Sequence, residues 1–160
     1  MLTLRRATVD DAALITRQRH LMFADNDFTT EARLCEMDAA FEPWVRAQLA
    51  DGVYVGLFLE QDGRVLSCGG IYFMQFPPHW MDPEPLRPYL LNFYTVPEAR
   101  GRGYAKQILE AAVAECRARG PRVITLHASR FGRPIYEQYG FTASTEMMLR
   151  PPLPDSADSF

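Results

Sequence analysis

The sequence predicts a single α/β (α+β) domain whose mixed central sheet has helices on both faces. The hydrophobic periodicity changes along the 160 residues in the order β-α-α-β-β-β-α-β-α-β. The early strands are joined by short turns, as in antiparallel hairpins, whereas one later helix separates two strands, as in a parallel crossover. With 48% apolar residues, a chain of this length can bury one ordinary core.

The first third of the chain predicts a strand and two helical segments. The strand is Leu2–Arg6, and Thr8 can cap a first helix that extends to about residue 23. Apolar residues then recur at helical spacing from residue 29 or 30 to residue 49. Pro43 lies inside this second pattern, so we expect a kink or two shorter helices there.

The period then changes to that of strands. An apolar run at residues 53–59 predicts a buried strand, and Asp62-Gly63 predicts the hairpin turn that follows it. We expect the next strand over residues 65–76, where the pair Gly69-Gly70 indicates a bulge.

Prolines and a long apolar stripe mark the next three elements. Residues 77–88 contain five prolines and are predicted to form a loop. A fourth strand is expected over residues 89–96, ending at Pro97. A helix is predicted over residues 103–119, because its apolar residues fall on one face: Ala105, Ile108, Leu109, Ala112, Val113 and Cys116.

The last part of the chain predicts shorter elements. A fifth strand is expected over residues 122–128, a short helix over 134–139 and a final strand from Gly140 to about residue 149. We therefore assign residues 1–150 to one domain. Residues 151–160, rich in Pro, Ser and Asp, are expected to be a mobile tail.

Composition argues against several classes of function. The formal net charge is −3 and the pI is near 5.6, so there is no general attraction for nucleic acid or anionic membranes. Cys35, Cys68 and Cys116 form no Cys-x-x-Cys pair, so we expect buried free thiols, with neither a disulfide framework nor a metal site. No run is long enough to span a membrane and the first residues do not resemble a leader, so we expect a cytoplasmic protein.

The junction between the fourth strand and the following helix indicates a phosphate site. Backbone N–H groups at a helix N-terminus are unpaired and carry partial positive charge. Gly101 and Gly103 leave those amides open and tolerate the angles that turn successive N–H groups inward, while Arg100 and Arg102 add charge. The spacing fits neither a P-loop nor a dinucleotide fingerprint. The loop therefore predicts a diphosphate site.

This loop and a second motif resemble the GNAT family of acetyltransferases. Arg100, Gly103 and Ala105 match the family pattern Arg/Gln-x-x-Gly-x-Gly/Ala. The second pattern, Asn-x-x-Ala-x-x-Leu-Tyr-x-x-x-Gly-Phe, aligns with residues 129–141. Tyr136, Gly140 and Phe141 match it, Ile135 replaces the leucine and Ser129 replaces the asparagine.

The resemblance implies that acetyl-CoA lies in a V between strands 4 and 5, which splay apart. Backbone groups of Tyr94, Thr95 and Val96 would pair with the pantetheine, and Ser129 would stand beside it in place of the asparagine. The pyrophosphate would be held by the loop that begins at Arg100, through the amides of Gly101, Arg102, Gly103, Tyr104 and Ala105.

The resemblance also implies that Tyr136 is the acid that protonates the leaving thiolate. A phenol with an ordinary pKa near ~10 can donate to a thiolate with a pKa near ~8.5. The alternative is that Tyr136 is only a packed aromatic residue. The general base is left open, because residues 89–96 contain no carboxylate and Asn92 can only orient a water or a substrate. Two alternatives stay open: a water wire to Glu84, Asp82 or His79, and an amine that reaches the site already deprotonated. His127 shares one side of its strand with Thr125 and Ser129 and could face the cofactor cleft, although a lone histidine in a strand more often has a structural role.

The implied acceptor is a primary amine of a small molecule or a peptide, which attacks acetyl-CoA directly. Trp80 is the best candidate for a substrate contact. Two alternatives stay open: a non-catalytic acyl-CoA-binding regulatory module, and a transferase for another acyl-CoA. A homodimer is also expected from the resemblance. A polyamine acceptor is suggested by acidic residues near the expected substrate side, namely Asp25, Asp27, Glu31, Glu36 and Asp38.

Overall fold

Five strands form one mixed sheet in the computed structural model, which describes residues 1–150. The predicted tail at residues 151–160 lies outside this part of the chain. The strands are arranged in the order of the sequence; the first four are antiparallel, and the last pair is parallel. They are β1 (Leu2–Arg6), β2 (Tyr54–Gln61), β3 (Arg64–Gln75), β4 (Leu86–Thr95) and β5 (Thr125–Leu126). The predicted mixed sheet is confirmed.

Helices cover both faces of this sheet, as predicted. The first two pack with Tyr54 and Phe58 on one face, and the third packs with Ile71 and Leu90 on the other. The fourth is a short helix that follows β5. Two short 3-10 turns, Val9–Asp11 and Pro97–Ala99, accompany α1 (Ala12–Asp25), α2 (Glu31–Ala50), α3 (Tyr104–Ala118) and α4 (Arg133–Tyr139).

The structure confirms two predictions from local sequence: the turn between β2 and β3, and the apolar face of α3. Asp62 and Gly63 have φ values of 52° and 75°, as a tight hairpin turn between twisted strands requires. The predicted apolar stripe of α3 is buried along its length, with Ile108, Leu109 and Ala112 fully inaccessible to solvent. Burying a continuous stripe on the sheet fixes the side on which this helix lies.

The prediction that residues 77–88 form a loop is wrong at its end, because β4 already begins at Leu86. Pro88 lies opposite Phe73 of β3. The Phe73 N–H donates to Val53 on the other side of β3, so this pair is not one that exchanges hydrogen bonds. The N–H that proline lacks is therefore not needed at this position.

The predicted fifth and final strands are longer than the structure allows. The amides of Arg122 and Val123 donate to the carboxylate of Asp82, so they cannot enter a strand ladder, and β5 is only two residues long. The predicted final strand, residues 140–149, is not formed: this segment has no regular structure, and Met147 is 95% exposed. A strand needs a neighbouring edge to pair with, and so short a β5 provides none.

Two further expectations meet the structure in α2. It is one helix across Pro43, so the alternative of two shorter helices is wrong, and the proline is exposed. Cys68 and Cys116 are buried free thiols as expected, but Cys35 is exposed because it lies on the outer face of α2. Within residues 1–150, no helix is long and apolar enough to cross a membrane, and no cluster of three or more His, Cys, Asp and Glu side chains could hold a metal.

Candidate functional site

The site begins where β4 and β5 separate. The two strands pair only through Tyr89 with Thr125 and Leu90 with Leu126. β4 continues to Thr95 beside β3, but β5 ends at Leu126. The edge of β4 beyond Leu90 is therefore left without a strand partner on the β5 side. The sheet contains the V-shaped opening that the sequence resemblance predicts.

A bulge in β4 lies at the start of this opening. Cys68 pairs with Tyr94 and Gly70 with Leu91, so Gly69 faces both Asn92 and Phe93. The irregularity is next to the predicted Gly69-Gly70 pair, but the extra residue belongs to β4. Asn92 takes a left-handed φ of 60°, and an added Cβ on Gly69 would come within 2.6 Å of the Ile108 side chain. The glycine therefore permits α3 to pack closely against the bulge.

The glycine loop joins the far end of β4 to α3. Gly101 and Gly103 have φ values of 76° and 78°, in the left-handed region that favours glycine. The six consecutive amides of residues 101–106 have no acceptor in the described part of the chain. The first amide after them that has one is that of Gln107, which donates to the Gly103 carbonyl. A Cβ added at either glycine would point into open space. The loop therefore offers unpaired donors at the positive end of a helix to an anion.

The two arginines of the loop differ in their contacts. The Arg100 side chain donates through Nε to the Thr95 carbonyl at 2.9 Å and through Nη2 to Asp25 at the end of α1. Its guanidinium also lies over the Tyr94 ring, 5.6 Å from the centroid. Arg102 is exposed and has no partner among residues 1–150. Arg100 thus braces the loop against α1, and Arg102 leaves its charge available to a ligand.

The backbone N–H and C=O groups of Tyr94, Thr95 and Val96, which are predicted to pair with the cofactor, do not all point to the same side of the strand. The Val96 N–H donates to Leu66 of β3, and its carbonyl accepts from Ala99. Because hydrogen-bonding directions alternate along an antiparallel strand, Tyr94 also points towards β3, and Thr95 points towards the opening. Thr95 is therefore the residue of the three whose amide faces the V.

Tyr136 reaches the opening from α4. Its ring packs edge-on against Phe93 of the bulge, with centroids 5.9 Å apart, and against Phe141 at 6.0 Å. The hydroxyl has no hydrogen-bond partner among the described residues. Burial, with a smaller contribution from nearby Tyr89, raises the pKa of Tyr136 to about 12. A Cβ on Gly132 would come within 3.0 Å of this ring, so that glycine makes room for it.

Ser129 lies at the start of α4. Its hydroxyl accepts from the Gly132 amide at 3.2 Å, and its carbonyl accepts from Arg133 at 2.9 Å. The side chain therefore stabilises the turn that leads into the helix carrying Tyr136. The predicted contact of Ser129 with a cofactor stays a prediction.

A phenol, an imidazole and a carboxylate form a chain beside the point where β4 and β5 separate. The Tyr89 hydroxyl lies 2.6 Å from His127 Nδ1, and His127 Nε2 lies 3.1 Å from the Glu146 carboxylate. Burial raises the pKa of Tyr89. Sequence reasoning considered His127 alone, since its partners are 38 and 19 residues away.

Arg19 of α1 reaches the bulge from the other face of the sheet. Its Nη1 donates to Asn92 Oδ1 at 2.7 Å, and Asn92 Nδ2 donates to the Tyr54 hydroxyl at 2.9 Å. Sequence analysis identified no role for Arg19 or Tyr54. The sequence signal for this contact was the presence of a polar residue, Asn92, in a mostly apolar strand. Its partners could not be identified from the sequence, because they are 73 and 38 positions away.

In the loop before β4, two of the predicted base residues make contacts of their own. The Asp82 carboxylate is buried and accepts from the amides of Val123, Arg122 and Glu84, which lower its pKa. His79 accepts from the Met81 amide within the loop. Trp80 is 88% exposed. Asp82 therefore anchors the loop to the segment before β5, and its carboxylate is fully engaged there.

Comparisons with known proteins agree with this geometry. A family model for the acetyltransferase (GNAT) domain matches residues 39–150. A GCN5-related N-acetyltransferase of known structure from Ralstonia eutropha JMP134 is 33% identical, with a TM-score of 0.90 over 94% of this chain and 99% of that one. A predicted acetyltransferase from Clostridium acetobutylicum, solved with acetyl-CoA, is 28% identical, with a TM-score of 0.87 over 94% and 96%. The uncharacterised N-acetyltransferase YhfO of Bacillus subtilis is 29% identical over 90% of this chain and 92% of its own length.

Proposed function

The chain belongs to the GNAT family of N-acetyltransferases, and we propose that it transfers the acetyl group of acetyl-CoA to a primary amine of a small molecule or a peptide. Residues 1–150 would act as one catalytic domain. The family relationship supports an acyltransferase enzyme over the alternative of a regulatory module. A cytoplasmic location and a homodimer stay predictions.

The observation that carries the proposal is the row of unpaired amides beside the V. Residues 101–106 offer six donors at the N-terminus of α3, which suits the two phosphates of a diphosphate. Arg102 adds an unpaired charge, and the unpaired edge of β4 suits an extended pantetheine. The Clostridium acetobutylicum relative was solved with acetyl-CoA, which supports the same donor here. These groups do not read the acyl group, so another acyl-CoA is the second candidate donor.

Acetyl-CoA, when bound, supplies a thioester whose carbonyl carbon is attacked by a neutral amine. A C–N bond forms, the C–S bond breaks, and its electron pair leaves on sulfur. Tyr136 suits protonation of that sulfur, because its hydroxyl has no partner among the described residues and its ring packs on Phe93 of the β4 bulge. The raised pKa keeps the phenol protonated at neutral pH, as a proton donor must be.

The amine must lose a proton, and the Tyr89–His127–Glu146 chain is the route we propose for it. The proton would pass to the Tyr89 oxygen as the Tyr89 proton moves to His127 Nδ1. Glu146 would accept a hydrogen bond from Nε2–H and stabilise the imidazolium that forms. The chain supplies a base although β4 contains no carboxylate.

The first experiment is thermal unfolding with and without acetyl-CoA on wild type, Gly103→Glu and Gly52→Glu. Ligand at about 100 times its dissociation constant stabilises the fold by ~2.7 kcal/mol. We expect this gain in wild type and its loss in Gly103→Glu, because a carboxylate at the loop repels a pyrophosphate. Gly52 is the matched control: its φ is 70° and it is equally open, but it lies in the turn before β2.

Release of CoA thiol in the presence of an amine panel then tests turnover. Gly52→Glu should keep both the acetyl-CoA stabilisation and the turnover of wild type, since it carries the same added charge and strain away from the loop. A folded wild type that millimolar acetyl-CoA leaves unchanged, and that releases no thiol with any amine, would contradict the proposed function.

A further inference from the structure

Arg19 is a partly buried cation without a counter-ion in the described part of the chain. Its guanidinium lies between the rings of Phe23 and Phe41, at 4.9 and 4.8 Å from their centroids. Among residues 1–150, one of its five N–H groups has an acceptor: an N–H on Nη1 donates to the neutral amide of Asn92. Nε is shielded from solvent without a partner. A buried charge of this kind is costly unless a ligand completes its hydrogen bonds.

The groups around Arg19 do not neutralise it. Burial raises the pKa of both Tyr54 and Tyr89, so these two phenols are uncharged at neutral pH. Asp38, the carboxylate whose charge acts on the pKa of Arg19, is hydrogen-bonded to His20 Nδ1 at 2.6 Å instead. The same desolvation lowers the pKa of Arg19, although an arginine stays protonated at neutral pH.

The acidic residues that suggested a polyamine acceptor are also committed elsewhere. Asp25 pairs with Arg100 of the glycine loop, and both Glu31 and Asp38 pair with His20. Three of the five carboxylates therefore have a partner within the chain, although Glu31 and Asp38 share one imidazole. Beside the β4 bulge itself, the charge without an ion pair among the described residues is that of Arg19, which disfavours a polycationic acceptor at this point.

Arg19 is well placed to contact the acceptor rather than the diphosphate. It is six residues before Asp25 on α1, which corresponds to about 9 Å along the helix axis from the end that touches the glycine loop. It touches Asn92, where β4 leaves β5, and its charge acts to lower the pKa of Tyr89 against the larger effect of burial. Tyr89 in turn contributes to the raised pKa of Tyr136. Arg19 therefore lies near the groups assigned to proton transfer.

We propose that Arg19, supported by Asn92, binds an anionic group of the acceptor, so that the substrate is a small amine that also carries a carboxylate or a phosphate. This inference rests on the proposed function and specifies its substrate class. The planar guanidinium suits two oxygens of such a group. Asn92 fixes one edge of the guanidinium, because its own amide is held by Tyr54. Acceptors of this class include free amino acids and phosphorylated amines.

The test compares each anionic amine with its neutral counterpart in the thiol-release assay. The panel is the L-amino acids beside their C-terminal amides, and phosphoethanolamine beside ethanolamine. We expect kcat/KM for the preferred anionic amine to exceed that of its counterpart by roughly 10- to 100-fold, the usual range for a charge-assisted contact. The two kinds of pair show whether the preferred anion is a carboxylate or a phosphate.

Variants of Arg19 connect that preference to the proposed contact. Arg19→Met, which keeps an unbranched chain between the two rings, should remove the preference, and Arg19→Lys should keep part of it. Arg17→Met is the matched control, because Arg17 is exposed on the same helix and its removal changes the net charge equally. Equal turnover of anionic and neutral amines in wild type, or an unchanged preference in Arg19→Met, would overturn the proposal.

Thermal unfolding separates failure of this inference from failure of the proposed function. Arg19→Met should keep the stabilisation by acetyl-CoA; its loss would assign Arg19 to the donor and overturn the inference. If no amine is turned over, the same pairs are added to the protein with CoA. The site is still supported if an anionic amine stabilises wild type and its neutral partner does not, and if this difference disappears in Arg19→Met. Equal or absent stabilisation across the panel overturns it.

Discussion

At the scale of single residues, hydrogen bonding distinguishes the two buried phenols near the opening. Tyr89 already has His127 as a hydrogen-bond partner, whereas the Tyr136 hydroxyl has none among the described residues. Both pKa values are raised because an ionised phenol is poorly solvated inside the protein. Tyr136 is therefore the phenol of the two whose hydroxyl is available to donate to a ligand, and it stays protonated at neutral pH.

Replacing Tyr136 with phenylalanine should lower kcat by roughly 10²-fold, the lower end of what a positioned acid contributes. Acetyl-CoA should stabilise the variant as much as wild type, because the ring stays and the glycine loop is untouched. In wild type, kcat should not fall between about pH 7 and pH 10 through ionisation of this group, since its pKa is about 12. Steady-state thiol release over this pH range measures both effects.

Tyr139→Phe is the control for that variant. Tyr139 is on the same helix and packs on Phe141, with ring centroids 6.1 Å apart, and its hydroxyl has no hydrogen bond within residues 1–150. Its loss should leave kcat near the wild-type value. Equal effects of the two substitutions, or full activity of Tyr136→Phe, would remove Tyr136 from the mechanism.

At the scale of elements, α2 contains a proline in its interior, where this residue is unfavourable for a helix. Pro43 lies in the interior of the helix, where it cannot donate to the carbonyl of Ala39. Both residues are exposed, so water solvates that carbonyl and no core contact depends on the ring. The helix survives as one piece because Leu34, Phe41 and Val45 bury its inner face.

Replacing Pro43 with alanine should therefore stabilise the protein by about 1–2 kcal/mol. The restored hydrogen bond and better helix propensity outweigh the entropy that proline removes from the unfolded chain. Urea unfolding measures the change. Pro134→Ala is the matched control: Pro134 lies in the first turn of α4, where no intrahelical N–H is needed, so we expect little gain. A loss of stability in Pro43→Ala would show that the ring contributes to packing.

At the scale of the whole molecule, two buried thiols link stability to pH. Burial raises the pKa of Cys68 and of Cys116 to about 12, from 9.0. Between those pH values the unfolded chain has lost these protons while the folded chain keeps them. The contribution of these two protons to the free energy of unfolding is therefore fully present below about pH 9. It is lost as pH rises towards 12, by about 1.4 kcal/mol per pH unit for each thiol.

Urea unfolding of wild type and Cys116→Ala between pH 8 and about pH 11 tests this linkage. The variant should be less stable at pH 8 but lose stability less steeply, because one of the two titrating thiols is gone. Val113→Ala, another truncation on the buried face of α3, should keep the wild-type slope. Parallel slopes for wild type and Cys116→Ala would mean that Cys116 does not titrate in this range.

The sequence by itself determined the helices, most of the strands and the glycine loop. These features depend on local properties: the spacing of apolar residues along α3, the turn at Asp62-Gly63, and the left-handed angles of Gly101 and Gly103. Each is set by interactions between residues close together in the chain. The mixed sheet also followed, because hairpins and a crossover have different connection lengths.

Tertiary structure alone decided where strands end and which side chains meet at the site. Asp82 shortens β5 because its carboxylate accepts hydrogen bonds from two amides about 40 residues away. The bulge in β4 depends on packing against Ile108. The His127 chain and the Arg19–Asn92 contact join distant segments. One sequence shows no sign of such pairs, because their free energy arises from burial and charge in the folded state and not from local chain geometry.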